Sequence, residues 1–125
     1  LHPSRLVGPL LTTQTWSTLL DDLRAQKAAF STVIAWINQH YSYTPCAFSN
    51  GAANNAADEN EGACRVFTFA QLNRLSEQDT LLCFAEHYAS VLAKPNDSDH
   101  ANIRAFMNTG WSGIRFNGVA LIAKN

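Results

Sequence analysis

The sequence predicts an α+β fold: four main helices, a small antiparallel sheet and a C-terminal hairpin in a single compact domain. Three observations predict it. Apolar residues recur at helical spacing in four separate stretches. The run "CRVFTFA", Cys64 to Ala70, alternates its side chains as a strand does. Asn117-Gly118 sits between two apolar-rich runs, the strongest short hairpin signal.

The elements follow in order. Residues 1–13 contain Pro3, Gly8 and Pro9 and read as an N-terminal arm ahead of a domain spanning 14–125. Trp16, Leu19, Leu20 and Leu23 form one helical face, with Thr15 as its N-cap. Phe30, Val33, Ile34, Ile37 and Tyr41 form a second stripe. That helix must end before Pro45, because proline disfavours helix in the residue ahead of it. The short join between the two predicts an αα-hairpin. "CAFS" reads as a short strand. The stretch "NGAANNAADENEGAC", Asn50 to Cys64, is polar and reads as a long loop pinned by its own asparagines. In "CRVFTFA" both alternating faces carry apolar groups, which predicts a strand buried on both sides.

Ser76 and Asp79 open a third helix as a capping box, with Leu81, Phe84, Ala85, Tyr88 and Leu92 as its core face. A fourth helix starts near Ser98 or Asp99 and buries Ile103, Phe106 and Met107. Gly110 followed by apolar Trp111 predicts a Schellman ending.

Bulk properties exclude several function classes. Charged residues make up 15% of the chain and the net charge is −1, so there is no basic stripe for nucleic acid. The longest apolar runs fall far short of the roughly 20 residues that span a bilayer. No apolar segment of secretory-signal length opens the chain. Three cysteines at irregular spacing, Cys46, Cys64 and Cys83, are not a disulfide framework and predict free thiols in a reducing compartment.

Candidate chemistry is sparse. "DENEG" begins like a calcium loop, but Ala63 and Phe69 stand where glycine and a bidentate glutamate are required. Cys83 and His87 share the i, i+4 spacing of a metal pair; zinc needs at least one more protein ligand. The ordinary reading is a small polar cysteine and a surface histidine, and no metal or cofactor is expected. Cys64 is a candidate nucleophile, with His40, His87 or His100 as base. Against it stands the usual fate of a free cysteine, which is burial as a small hydrophobe. His100, Asn102 and Arg104 lie near a helix start, where an anion can bind or where ordinary capping suffices. Placing the Asn-rich loop beside that helix start defines a candidate surface site: Asn50, Asn55, Asn60, Glu61, His100, Asn102 and Arg104.

Three long stretches carry a resemblance. "HYSYTPCAFSNG", "NEGACRVFTFAQLNRLS" and "DHANIRAFMNTGWSGIRFNG" resemble the HopJ type III effector family, in the same order, across Trp16 to Lys124. Matching positions include Tyr41, Tyr43, Asn50 and Gly51, then Asn60, Glu61, Gly62 and Cys64, then Asp99, His100, Asn102 and Arg104. A serine commonly precedes the cysteine in the family pattern; here it is Ala63, which counts against a catalytic cysteine site. The resemblance implies a small single-domain bacterial protein and, in plant pathogens, delivery into host cells. It implies no known reaction, cofactor or catalytic set. The leading expectation is therefore a HopJ-like effector-family protein that acts by binding an unknown protein or small-molecule partner, without catalysis. The alternatives are a small enzyme using Cys64 with a nearby histidine, and an endogenous cytoplasmic bacterial protein that is not secreted.

Overall fold

A computed structural model describes residues 14–124. The arm expected over residues 1–13 lies outside these described residues. The order of elements is α1 (Trp16–Arg24), α2 (Phe30–His40), β1 (Tyr41–Tyr43), β2 (Phe48–Asn50), β3 (Ala53–Asn55), α3 (Glu61–Leu72), α4 (Glu77–Leu82), α5 (Glu86–Ala93), α6 (Ala101–Thr109), a 3-10 turn (Gly110–Gly113), β4 (Ile114–Phe116) and β5 (Leu121–Ala123). The expected α+β class holds: helices pack with small antiparallel sheets in one compact domain.

β1 pairs with β5, Tyr41 opposite Ala123. β2 is the centre of a second sheet, flanked by β3 and β4, with Phe48 opposite both Asn55 and Phe116. The chain bends at Asn117-Gly118 as expected, but the strands on either side ladder onto different neighbours. The C-terminal segment thereby ties the two sheets together.

Local caps behave as the sequence predicts. Thr15 Oγ1 accepts from the Thr18 N–H at 3.2 Å, and Ser76 Oγ accepts from the Asp79 N–H at 3.0 Å. Gly110 has φ +60° and ψ −152°, a region open essentially to glycine alone, so it differs from the left-handed Schellman residue expected. A Cβ there would lie 2.1 Å from Glu77 Oε2.

Two element readings are corrected. The run Cys64–Ala70 lies within helix α3, not in a strand. Cys64, Val66, Phe67, Thr68, Phe69 and Ala70 are all buried, because α3 runs through the middle of the molecule. A helix enclosed on nearly every side needs apolar residues all round, so it shows no helical stripe in sequence. The third helix is also two helices. Ala85, at φ +50° and ψ −120°, breaks it between α4 and α5. Leu92 and Met107, assigned to the core by periodicity, are 54% and 45% exposed.

The core is aromatic and centred on α3. Phe69 meets Trp16, Trp36 and Tyr41, with ring centroids 4.7, 5.6 and 5.7 Å away. Phe67 meets Phe106 at 5.0 Å and Phe84 at 5.3 Å. All three cysteines are free and buried. Cys83, expected as a small polar residue on a second face, has no exposed surface.

Candidate functional site

The polar stretch after Asn50 is only partly a loop. β2 and β3 form a hairpin whose turn begins at Gly51, at φ +58°. Gly51 N–H donates to Gly113 O at 2.9 Å, so the turn is seated on the segment after α6. The stretch then bends through Asp58 and Glu59 and enters α3.

Four asparagines close this region. Asn50 Nδ2 donates to Asn102 O at 2.8 Å and to Asn102 Oδ1 at 3.1 Å. Asn55 Nδ2 donates to the same Asn102 Oδ1 at 3.1 Å, and Asn102 Nδ2 returns a bond to Asn55 Oδ1 at 2.9 Å. Asn60 Nδ2 completes the group on Asn55 Oδ1 at 2.7 Å. The network joins the hairpin, the start of α3 and the first turn of α6. Asn50, Asn55 and Asn102 are buried, so these members of the expected surface site belong to the interior. Mutual pairing offsets the cost of taking these polar groups away from water, with Asn50 Oδ1 left as the unpaired buried atom of the group.

Beside the network lies a cleft of about 610 Å³. Asn54 and Asn55 form one wall, and the starts of α3 (Asn60, Gly62, Ala63) and α6 (His100, Asn102, Ile103) form the next. Phe30, Phe84 and His87 close it. A Cβ on Gly62 would come within 3.2 Å of the Phe30 ring, so any larger residue there would push that ring aside slightly. The imidazoles of His87 and His100 are neighbours, with centroids 5.1 Å apart. His87 also stands edge-on to Phe30 at 4.9 Å. Each histidine has its own carboxylate: Glu86 Oε2 is 3.9 Å from His87 Nε2, and Asp99 Oδ2 is 3.9 Å from His100 Nε2.

Both carboxylates hold their charge readily. Burial opposes ionisation of Glu86, but the Phe30 and Glu86 backbone N–H groups, with His87, outweigh it and lower its pKa. The hydrogen bond from Arg104 does the same for Asp99. Among the described residues no three His, Cys, Asp or Glu side chains gather as a metal site.

The structure thus brings Asn55, Asn60, His100 and Asn102 together around the cleft, with Asn50 behind them. It does not bring in the other two members of the expected set. Glu61 is half-buried in the first turn of α3 and does not line the cleft. Arg104 turns to Asp99 Oδ1 at 2.7 Å and to Pro95 O at 3.3 Å. Cys64 does not line the cleft either. It has no exposed surface, and its thiol donates to Cys46 O at 3.5 Å. Burial raises its pKa, opposed in part by the nearby Tyr43 and Thr68 hydroxyls. Phe30 and Phe84 are cleft residues that the sequence did not assign to a site, and His87 stood there only as a metal partner for Cys83 or a base for Cys64. A histidine just past a break in an amphipathic stretch carries no local signal of where it will point.

With this geometry in view, the comparisons are decisive about kinship. Residues 16–121 match the model of the family described as HopJ type III effector protein. The chain belongs to the HopJ type III effector protein family. A solved structure is similar to it: the crystal structure of the unknown-function protein VPA0580, 44% identical, with a TM-score of 0.83. The match covers 90% of this chain and 97% of that one. No curated protein matches the sequence significantly. HopJ membership agrees with the residues that carried the resemblance, and many of them, such as Asn50, Asn60, His100 and Asn102, lie in or behind the cleft. Among the described residues no helix is long and apolar enough to cross a membrane.

Proposed function

We propose that this HopJ-family protein acts by binding a partner group in the His87–His100 cleft, without catalysis. The observation that carries this reading is the buried amide network. It locks the β2–β3 hairpin and the start of α3 onto α6. Only Asn50 Oδ1 among its buried atoms lacks a partner, and a polar network so nearly paired rigidifies what it joins, so the cleft walls are held before any ligand arrives. The cleft also has the usual mixture of a binding site, an apolar wall at Phe30 and Phe84 with a few convergent polar groups. A cysteine enzyme finds less support, because the Cys64 thiol is shielded and its pKa raised, whereas a nucleophile needs an accessible thiolate.

The test is an amide NMR screen of the full chain against a fragment collection. Hits should shift Asn60, Gly62, His100 and Asn102 together. Hits confined to the hollow beside Tyr88 and Leu92 would refute the reading.

Family membership supports a second, cellular part of the proposal: the protein is delivered to a host cell through a type III apparatus. A full-length fusion to a translocation reporter tests it. Transfer should require a working apparatus; equal signals with and without one would leave an endogenous cytoplasmic role.

A further inference from the structure

Two imidazoles packed side by side in an open cleft call for an explanation. Neither is consumed by the core: the His87 and His100 side chains are 40% and 32% exposed. No third ligand joins them as a metal site among the described residues. Their neighbouring carboxylates are shared with other donors. Glu86 Oε1 accepts from the Phe30 N–H at 2.8 Å, and Asp99 Oδ1 accepts from Arg104 at 2.7 Å. Each imidazole can donate an N–H to an anionic group at the cleft.

The backbone around the pair supplies further donors. α1, α2 and α4 each have a side-chain oxygen on an early amide, from Thr15, Glu86 and Ser76. α3 and α6 start at the cleft and have no side-chain cap. Their first helical hydrogen bonds come from the N–H groups of Cys64 and Arg104. Residues ahead of these, including Gly62 and Ala101, line the cleft, and the first amides of a helix have no partner within it. Both N-cap residues, Asn60 and His100, hold left-handed backbone conformations. The opposing charge is also identifiable. Glu59 lines the rim, and its carboxylate accepts from the Ala56 N–H at 2.9 Å.

We infer that the cleft takes a small molecule bearing an oxyanion on a flat apolar body. The oxyanion, a phosphate or a carboxylate, sits among His87, His100 and the leading amides of α3 and α6. The body lies against Phe30. This inference rests on the cleft being the binding site and narrows what it binds.

NMR titration of the full chain tests it, using sodium sulfate, phenyl phosphate, benzoate and uncharged benzyl alcohol as probes. Phenyl phosphate or benzoate should saturably shift the Gly62 and Ala101 amides and both histidine rings. The better of the two identifies the head group, and it should bind roughly tenfold tighter than sulfate, the value of about 60 Å² of apolar contact. The double variant His87→Gln/His100→Gln should bind at least about tenfold more weakly, the loss expected from removing charged donors. Glu59→Gln should bind more tightly; it lies on the rim and gives a readout even if the double variant does not fold. Benzyl alcohol binding the cleft as tightly as benzoate would overturn the oxyanion inference and leave the binding cleft standing. No cleft response to any probe would overturn both.

Discussion

The two ends of α3 sit in opposite kinds of surroundings. Towards its C-terminus, Phe69 is enclosed by the rings of Trp16, Trp36 and Tyr41. At its N-terminus, Asn60 joins the buried amides of Asn55, Asn102 and Asn50. The aromatic end is held by contact area, which is non-directional and changes smoothly with shape. The amide end is held by hydrogen bonds, each of which depends on a partner staying in place. The first kind of packing makes the protein stable. The second fixes where the hairpin and the helix starts lie, and so shapes the cleft.

Phe69→Ala should have the largest effect. It removes a fully enclosed ring and should cost about 3–5 kcal/mol in urea denaturation. A loss under about 1 kcal/mol would show that this end repacks freely. Asn102→Ala comes next, at about 1–3 kcal/mol, because it removes the side-chain bonds to Asn50 and Asn55, which keep only Asn102 O, Phe48 O and Asn60 as partners. The two variants should also differ in kind. Amide NMR shifts from Asn102→Ala should concentrate in β2, β3 and the cleft, whereas those from Phe69→Ala should spread through α1 and α2. Indistinguishable patterns would dissolve the contrast between the two ends.

A third test uses pH. Burial pushes the Cys83 thiol up to about 12, with the Asp79 carboxylate adding to the rise. The folded protein keeps this proton where the unfolded chain loses it. The contribution is therefore complete below the ordinary thiol range and falls away between about pH 9 and 12, by about 1.4 kcal/mol per pH unit. Denaturation across that range should show a shallower decline for Cys83→Ala than for the parent protein. Equal slopes would mean that the thiol ionises without unfolding its surroundings.

The smallest expected effect is a gain. Ala85 occupies a positive-φ conformation that glycine adopts freely, so Ala85→Gly should stabilise by about 1 kcal/mol. A melting temperature that falls instead would show that the α4–α5 break is held by the alanine methyl and not in spite of it.

Local signals were legible in the sequence. Thr15 and Ser76 cap helices through bonds to amides three residues away, and such bonds need nothing distant to form. The stripes of α1 and α2 were readable because each helix has one buried side and one wet side. The long motifs that carried the HopJ resemblance were legible as well. α3 was not, since a helix surrounded by others loses its stripe and looks like any short apolar run. Leu92 and Met107 show the reverse failure, in which helical spacing marked a face that no neighbour covers.

The sequence by itself determined the α+β class, the helix starts capped by Thr15 and Ser76, the free cysteines and the kinship. Only the tertiary structure decided the site. Asn50 and Asn102 are 52 positions apart, and Asn55 and Asn102 are 47 apart. His87 reaches His100 only past the break at Ala85. Pairings at that separation arise once the core has collapsed and the elements have docked. No spacing rule along the chain anticipates them, because the distance that matters is measured across the packed helices.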